Sequence, residues 1–123
     1  MEFVGYNPTK IHATVHTGKF NHMIGTQIGK STYLANPFDD FHTYTINWTP
    51  KYIKAYLDGK HYFTYEKRDS SFGAWPFDTD FKIIVNTAVG GDWGGAQGID
   101  NKIFPTHYTV DYVRQYQNGY VSV

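Results

Sequence analysis

Hydrophobic and polar positions alternate along most of this 123-residue chain, and apolar spacings of three and four are almost absent. The pattern therefore predicts strands rather than helices. In the segment KIHATVHT, residues 10–17, Ile11, Ala13 and Val15 share one face, while His12, Thr14 and His16 share the other. FHTYTINW, residues 41–48, sets Tyr44, Ile46 and Trp48 against Thr43, Thr45 and Asn47, and Thr49-Pro50 stops it. YIKAYL (52–57) and KHYFTYE (60–66) flank Asp58-Gly59, a dipeptide that accepts positive φ at both centres of a type I′ turn. These two segments are predicted to form a hairpin. FKIIVNTA (81–88) carries the unbroken apolar run Ile83-Ile84-Val85, which predicts a strand buried on both faces. YTVDYVRQY (108–116) alternates again and predicts a last strand.

The stretch from Val89 to Phe104 contains Gly90-Gly91-Asp92-Trp93-Gly94-Gly95 and is long for a connection inside a compact domain, a length more typical of functional loops. It is no phosphate loop, because the lysine and the G-x-G-x-x-G spacing are missing. It reads either as a plain turn or as a loop presenting the Trp93 ring for stacking on a sugar. Several short strands with turns between them, and no repeat or linker, predict an all-β fold, an antiparallel β-sandwich. Sandwich domains run to about 200–250 residues, so the chain is either a small complete sandwich or part of a larger one.

Composition narrows the chemistry. Aromatics make up 19% of the residues and there are only two glutamates, Glu2 and Glu66, which agrees with strands. Eleven basic and eleven acidic residues give zero net charge with no basic cluster, which argues against nucleic acid or an anionic membrane as partner. With no cysteine, disulfides and thiolate chemistry are excluded. No apolar run approaches the roughly 20 residues of a membrane span, and the N-terminus lacks the features of a signal peptide. His12 and His16 share a strand face, but four residues along a strand is about 13 Å, too far for one metal ion. None of the four serines sits in a G-x-S-x-G elbow, so a serine nucleophile is disfavoured. Aromatics interleaved with Asn, Asp and Thr suit a carbohydrate, whose C–H faces pack on rings. Glu2, taken alone, reads as a solvated carboxylate near the start of the chain.

Met1 to Gly5 (MEFVG), His12 to Thr17 (HATVHT), Phe41 to Tyr44 (FHTY), Asn47 to Pro50 (NWTP), Tyr56 to Gly59 (YLDG), Trp75 to Phe77 (WPF), Asn86 to Gly91 (NTAVGG) and Val110 to Arg114 (VDYVR) follow one another in a known order. Together they resemble the downstream part of family 16 glycoside hydrolases, with the nearest likeness to laminarinase-like endo-β-1,3-glucanases. The resemblance implies a jelly-roll, concanavalin A-like β-sandwich with a glucan-binding cleft. It implies that residues 1–123 are the C-terminal portion of one catalytic domain, incomplete by itself.

The family writes its catalytic strand E-x-D-x-x-E, and here Met1 and Glu2 match its last two positions. By resemblance Glu2 is the acid/base of a retaining endo-β-1,3- or mixed-linkage glucanase, with the nucleophile and assisting aspartate expected upstream of residue 1. Retention needs two carboxyls about 5–5.5 Å apart, so the chain alone is expected to be inactive. Glu66 has no matching role. His16, Asn86 and Trp93 match positions at or beside the cleft and are expected to contact sugar, His16 being equally readable as a polar strand residue. Asp111 matches a calcium-binding aspartate; a structural calcium is thus implied, and no cofactor is required for catalysis. The expected partner is a β-glucan polysaccharide or oligosaccharide, and the family's parent enzymes imply a secreted or periplasmic location. The alternatives are a non-catalytic β-glucan-binding module, and a chain that rests as a homodimer or pairs with the missing upstream half.

Overall fold

The computed structural model describes residues 1–117 and the backbone of 120–122. Two compact units divide the chain, Met1–Asn86 and Thr87–Val123. The first contains two antiparallel three-stranded sheets. One is ordered β1 (Glu2–Val4), β2 (Asn7–Val15), β3 (Ile28–Tyr33); the other is ordered β4 (Tyr44–Trp48), β5 (Tyr52–Leu57), β6 (Lys60–Glu66).

Both sheets turn their apolar faces into one core. From β2 come Ile11, Ala13 and Val15, from β5 Ala55 and Leu57, and from β6 Phe63 and Tyr65. The alternation expected of β2 therefore holds, although the strand runs from Asn7 to Val15 rather than from Lys10 to Thr17. The hairpin follows the predicted bounds of both strands. At its tip Asp58 and Gly59 take φ of 48° and 75°, the left-handed pair that a type I′ turn demands.

Consecutive residues Tyr62 and Phe63 are both buried, which strict alternation forbids. A bulge explains it: Ala55 pairs with Phe63 but Tyr56 pairs with His61, so Tyr62 is the residue left over. Beyond β6 the chain folds back and seals the core with Trp75, 2% exposed and stacked on Tyr65 with centroids 5.5 Å apart. The Tyr65 hydroxyl donates to the Ala74 carbonyl and the Trp75 indole N–H donates to Asp78, so neither buried aromatic leaves a polar group unmet. This segment is tied to the loop after β2, where the Lys19 amide donates to the Gly73 carbonyl and Lys19 Nζ meets Asp69 at 2.6 Å.

Three expectations fail. Phe81–Ala88 forms no strand, and Ile83, Ile84 and Val85 are all exposed. An apolar run becomes an inner strand only where neighbours supply both a ladder and a cover, and among the described residues none pairs with this segment. Tyr108–Tyr116 is likewise irregular as far as Arg114; the strand present in the second unit, β7 (Gln115–Gln117), pairs with β8 (Tyr120–Ser122). The third concerns β4, which begins at Tyr44 instead of Phe41. The amide of Thr43 is taken by the Asp58 carboxylate and that of Phe41 by Asp40, so neither is available to a ladder.

The second unit carries the glycine-rich loop as a run of turns. Gly90 and Gly91, with φ of 76° and 81°, allow the chain to reverse there, and the amide of Gly95 bonds the Gly91 carbonyl. A short 3-10 turn follows at Asn101–Ile103, capped by the Asp100 side chain accepting from the Lys102 amide.

Candidate active site

Ile11 and Ala13 face the core, so Lys10, His12 and Thr14 face away from it. Across the first sheet, His12 lies opposite Glu2 on β1 and Ser31 on β3, while Lys10 lies opposite Tyr33 and Thr14 opposite Gly29. Partners in an antiparallel pair share a face, with Cβ atoms about 4.5–5.5 Å apart. Glu2, His12 and Ser31 therefore form one row across the outer face of the sheet. Gly29 keeps the second row tight: a Cβ there would lie 2.8 Å from the Ala13 carbonyl oxygen and 3.0 Å from Thr14 Oγ1.

Sequence reasoning weighed His12 only as a metal ligand or a polar strand residue and missed its place beside Glu2. A regular hairpin through Gly5-Tyr6, with Val4 paired to Asn7, would have put Glu2 opposite Thr9. A register shift between Glu2 and Val4 moves the pairing to His12 instead. Burial and the Lys10 charge lower the His12 pKa from its usual 6.5, while the Glu2 carboxylate pulls it the other way. His12 is thus held toward its neutral form, in which one ring nitrogen donates and the other accepts.

His16 follows β2 immediately and is exposed, its ring edge-on to that of His22 at 5.2 Å. Asn86, also exposed, ends the first unit. Trp93, 43% exposed, and Asp111 belong to the second unit. The first sheet thus gathers Glu2 and His12, with His16 beyond the end of the same strand. Glu66 lies elsewhere, at the end of β6, where Arg68 approaches it at 3.2 Å. Calcium takes six to eight oxygen ligands. Asp111 is exposed in an irregular segment, and among the described residues no three or more of His, Asp and Glu gather into a metal site. Asp111 supplies one carboxylate oxygen donor toward such a set.

A second polar constellation, at the tip of the β5–β6 hairpin, is structural. His42 Nδ1 meets Asp58 at 2.9 Å and His42 Nε2 meets the Asn36 carbonyl at 3.3 Å, so both ring nitrogens face acceptors. The bond to Asp58 raises the His42 pKa above its usual value. Burial works against the Asp58 charge, but the Thr43 amide and the His42 ring outweigh it and hold the carboxyl below its usual range.

A model described as glycosyl hydrolases family 16 matches residues 1–114. The chain belongs to glycosyl hydrolase family 16. It is 44% identical over 122 residues to a beta-glucanase of Rhodothermus marinus, covering 95% of this chain and 43% of that protein. The X-ray structure of the laminarinase from Rhodothermus marinus superposes with a TM-score of 0.80 at 42% identity, over 84% of this chain and 43% of that one. A substituted form of SCLam, a non-specific endo-beta-1,3(4)-glucanase co-crystallised with 1,3-beta-D-cellotriosyl-glucose, gives 0.70 at 35% identity, over 84% and 40%. The chain therefore spans less than half the length of these relatives. Its fold is the antiparallel jelly-roll β-sandwich of this enzyme family, as the alternation and the quoted motifs imply.

Proposed function

We propose that the chain carries the acid/base side of a retaining β-glucanase active site, with Glu2 as the proton donor and a β-1,3-linked glucan as substrate. The observation that carries this reading is the display of Glu2 on the open face of the first sheet, within the family match and away from the core. Retaining hydrolysis uses one carboxylate to attack the anomeric carbon and a second carboxyl to protonate the leaving oxygen and then deprotonate water. Glu2 is suited to the second role, because the residues across from it in its row, His12 and Ser31, both carry hydrogen-bonding side chains. Glu66, at the end of β6 and drawn to Arg68, is no candidate for the first. The nucleophile is assigned to residues outside these 123, on a strand of the E-x-D-x-x-E type. His16 is assigned as a sugar contact, with Asn86 and Trp93 as further contacts.

The test compares laminarin hydrolysis by this chain with that by a form extended upstream through an E-x-D-x-x-E strand. Turnover in the extended form alone, falling by at least about 100-fold on Glu2→Gln, is the expected result. Equal turnover by both forms, or an extended form indifferent to Glu2→Gln, would refute the assignment.

A further inference from the structure

We propose that His12 is the positioning residue of the Glu2 carboxyl, holding the proton donor in place through both halves of the reaction from the position directly across the strand pair. The inference rests on the assignment of Glu2 as acid/base and deepens it. Its basis is the register: the shift between Glu2 and Val4 brings His12, not Thr9, across from Glu2.

An acid/base residue exists in two states during one turnover, a carboxyl that gives its proton to the leaving oxygen and a carboxylate that takes one from water. A neutral imidazole suits both, because it can accept from the carboxyl or donate to the carboxylate. A lysine or a charged imidazolium in its place would favour the carboxylate alone and penalise the acid step.

The surroundings maintain that neutrality. On β2 the ring has Lys10 and Thr14 as neighbours on its own face, with His16 beyond the strand's end; on β3 Ser31 stands opposite and Tyr33 faces Lys10, and on β1 the facing group is Glu2. Lys30 is opposite Ala13 and belongs to the other face. Partial burial and Lys10 both disfavour a charged ring, and only Glu2 favours one. The sequence fits the same logic: Ile11 and Ala13 fix which way His12 points by filling the core on the opposite face.

Two measurements test the inference and separate its failure from that of the function. In this chain, NMR titration of the His12 ring nitrogens should give a midpoint below 6.5, moving lower in Glu2→Gln because the only charge that favours protonation has gone. A midpoint that does not respond to Glu2→Gln would overturn the proposal whatever the enzyme does. In the extended form, the pH profile of kcat/KM for laminarin supplies the second reading. His12→Gln, whose amide can also donate and accept, should retain activity to within about threefold, while His12→Leu should lose about tenfold in kcat with KM nearly unchanged. His12→Lys should move the basic limb of the profile down by about one pH unit. A profile unmoved by His12→Lys, or a Gln variant as poor as Leu, would refute the positioning role. An extended form that is inactive while the NMR coupling is present would instead refute the assignment of Glu2.

Discussion

Tyr62 offers a sharp test of how the core is built. The β5–β6 bulge pushes this residue inward beside Phe63, leaving it 8% exposed, and its hydroxyl has no hydrogen-bond partner among the described residues. A buried hydroxyl without a partner costs about 1–3 kcal/mol of desolvation. Tyr62→Phe keeps the ring and its packing while removing that cost, so the variant should be more stable by about 1–2 kcal/mol at pH 7. For a unit the size of Met1–Asn86 that corresponds to a rise in Tm of about 4–8 °C per kcal/mol. Urea unfolding followed by Trp fluorescence would measure it, since Trp75 is buried and leaves a stacked environment on unfolding. The pH dependence gives an independent signature. Burial, with a smaller contribution from Tyr44, pushes the Tyr62 pKa up to about 12. Above pH 10 the unfolded chain releases a proton that the folded chain retains, so wild-type stability falls progressively between about pH 10 and 12. The Phe variant lacks this group, and the gap between the two proteins should widen over that range. A Phe variant less stable than wild type at pH 7 would show that the hydroxyl has a partner, and parallel curves above pH 10 would show that it is not desolvated.

Two other perturbations probe the sheet and the hairpin. Gly29→Ala places a methyl 2.8 Å from the Ala13 carbonyl oxygen, forcing β3 away from β2. A loss of about 1–3 kcal/mol is expected, together with faster amide exchange along the β2–β3 ladder, and unchanged exchange would mean that the approach is not tight. Asp58→Asn tests the ion pair with His42. The stability from the raised His42 pKa is fully present below about 6.5 and is lost as pH rises through the folded value, whereas that from the lowered Asp58 pKa is present above about 3.8 and lost as pH falls through the folded value. The stability difference between wild type and Asp58→Asn, read from urea midpoints at pH 3, 5 and 8, should therefore be largest at pH 5. A difference constant with pH would exclude a charged pair.

What the sequence made legible was local. The hairpin could be read because its turn chemistry and both flanking alternations lie within fifteen residues, and the geometry at Asp58-Gly59 requires nothing from elsewhere. β2 could be read because Ile11, Ala13 and Val15 are all buried, which makes the alternation strict from Ile11 onward. β3 escaped because Ile28–Tyr33 (IGKSTY) has little apolar periodicity and owes its strand to pairing with β2. The row opposite Glu2 was illegible for a different reason. A bulge adds residues without changing the turn signals around it, so the step from Thr9 to His12 leaves no mark in a single sequence. Glu2 itself came from the order of motifs rather than from any property of the residue.

The graded burial of the second sheet links these observations to the family match. Tyr44, Ile46 and Trp48 of β4 pair with Leu57, Ala55 and Ile53 of β5 and so point to the same side of the sheet. Yet Ala55 and Leu57 are buried while the three β4 residues are exposed. Side-chain direction is thus satisfied where cover is not. The core cluster, with Ile11, Ala13 and Val15 from the facing sheet and Trp75 from the returning segment, includes residues of β5 and β6 and none of β4. Trp48 is partly served, its ring edge-on to Phe81 at 5.9 Å and its indole N–H donating to the Phe77 carbonyl. Ile46, 58% exposed, lies between Tyr44 and Trp48 on a strand without charge, proline or a bulge, the devices that normally protect an edge. Apolar alternation therefore records the side to which a strand directs its apolar residues, and burial follows only where neighbouring elements reach that side.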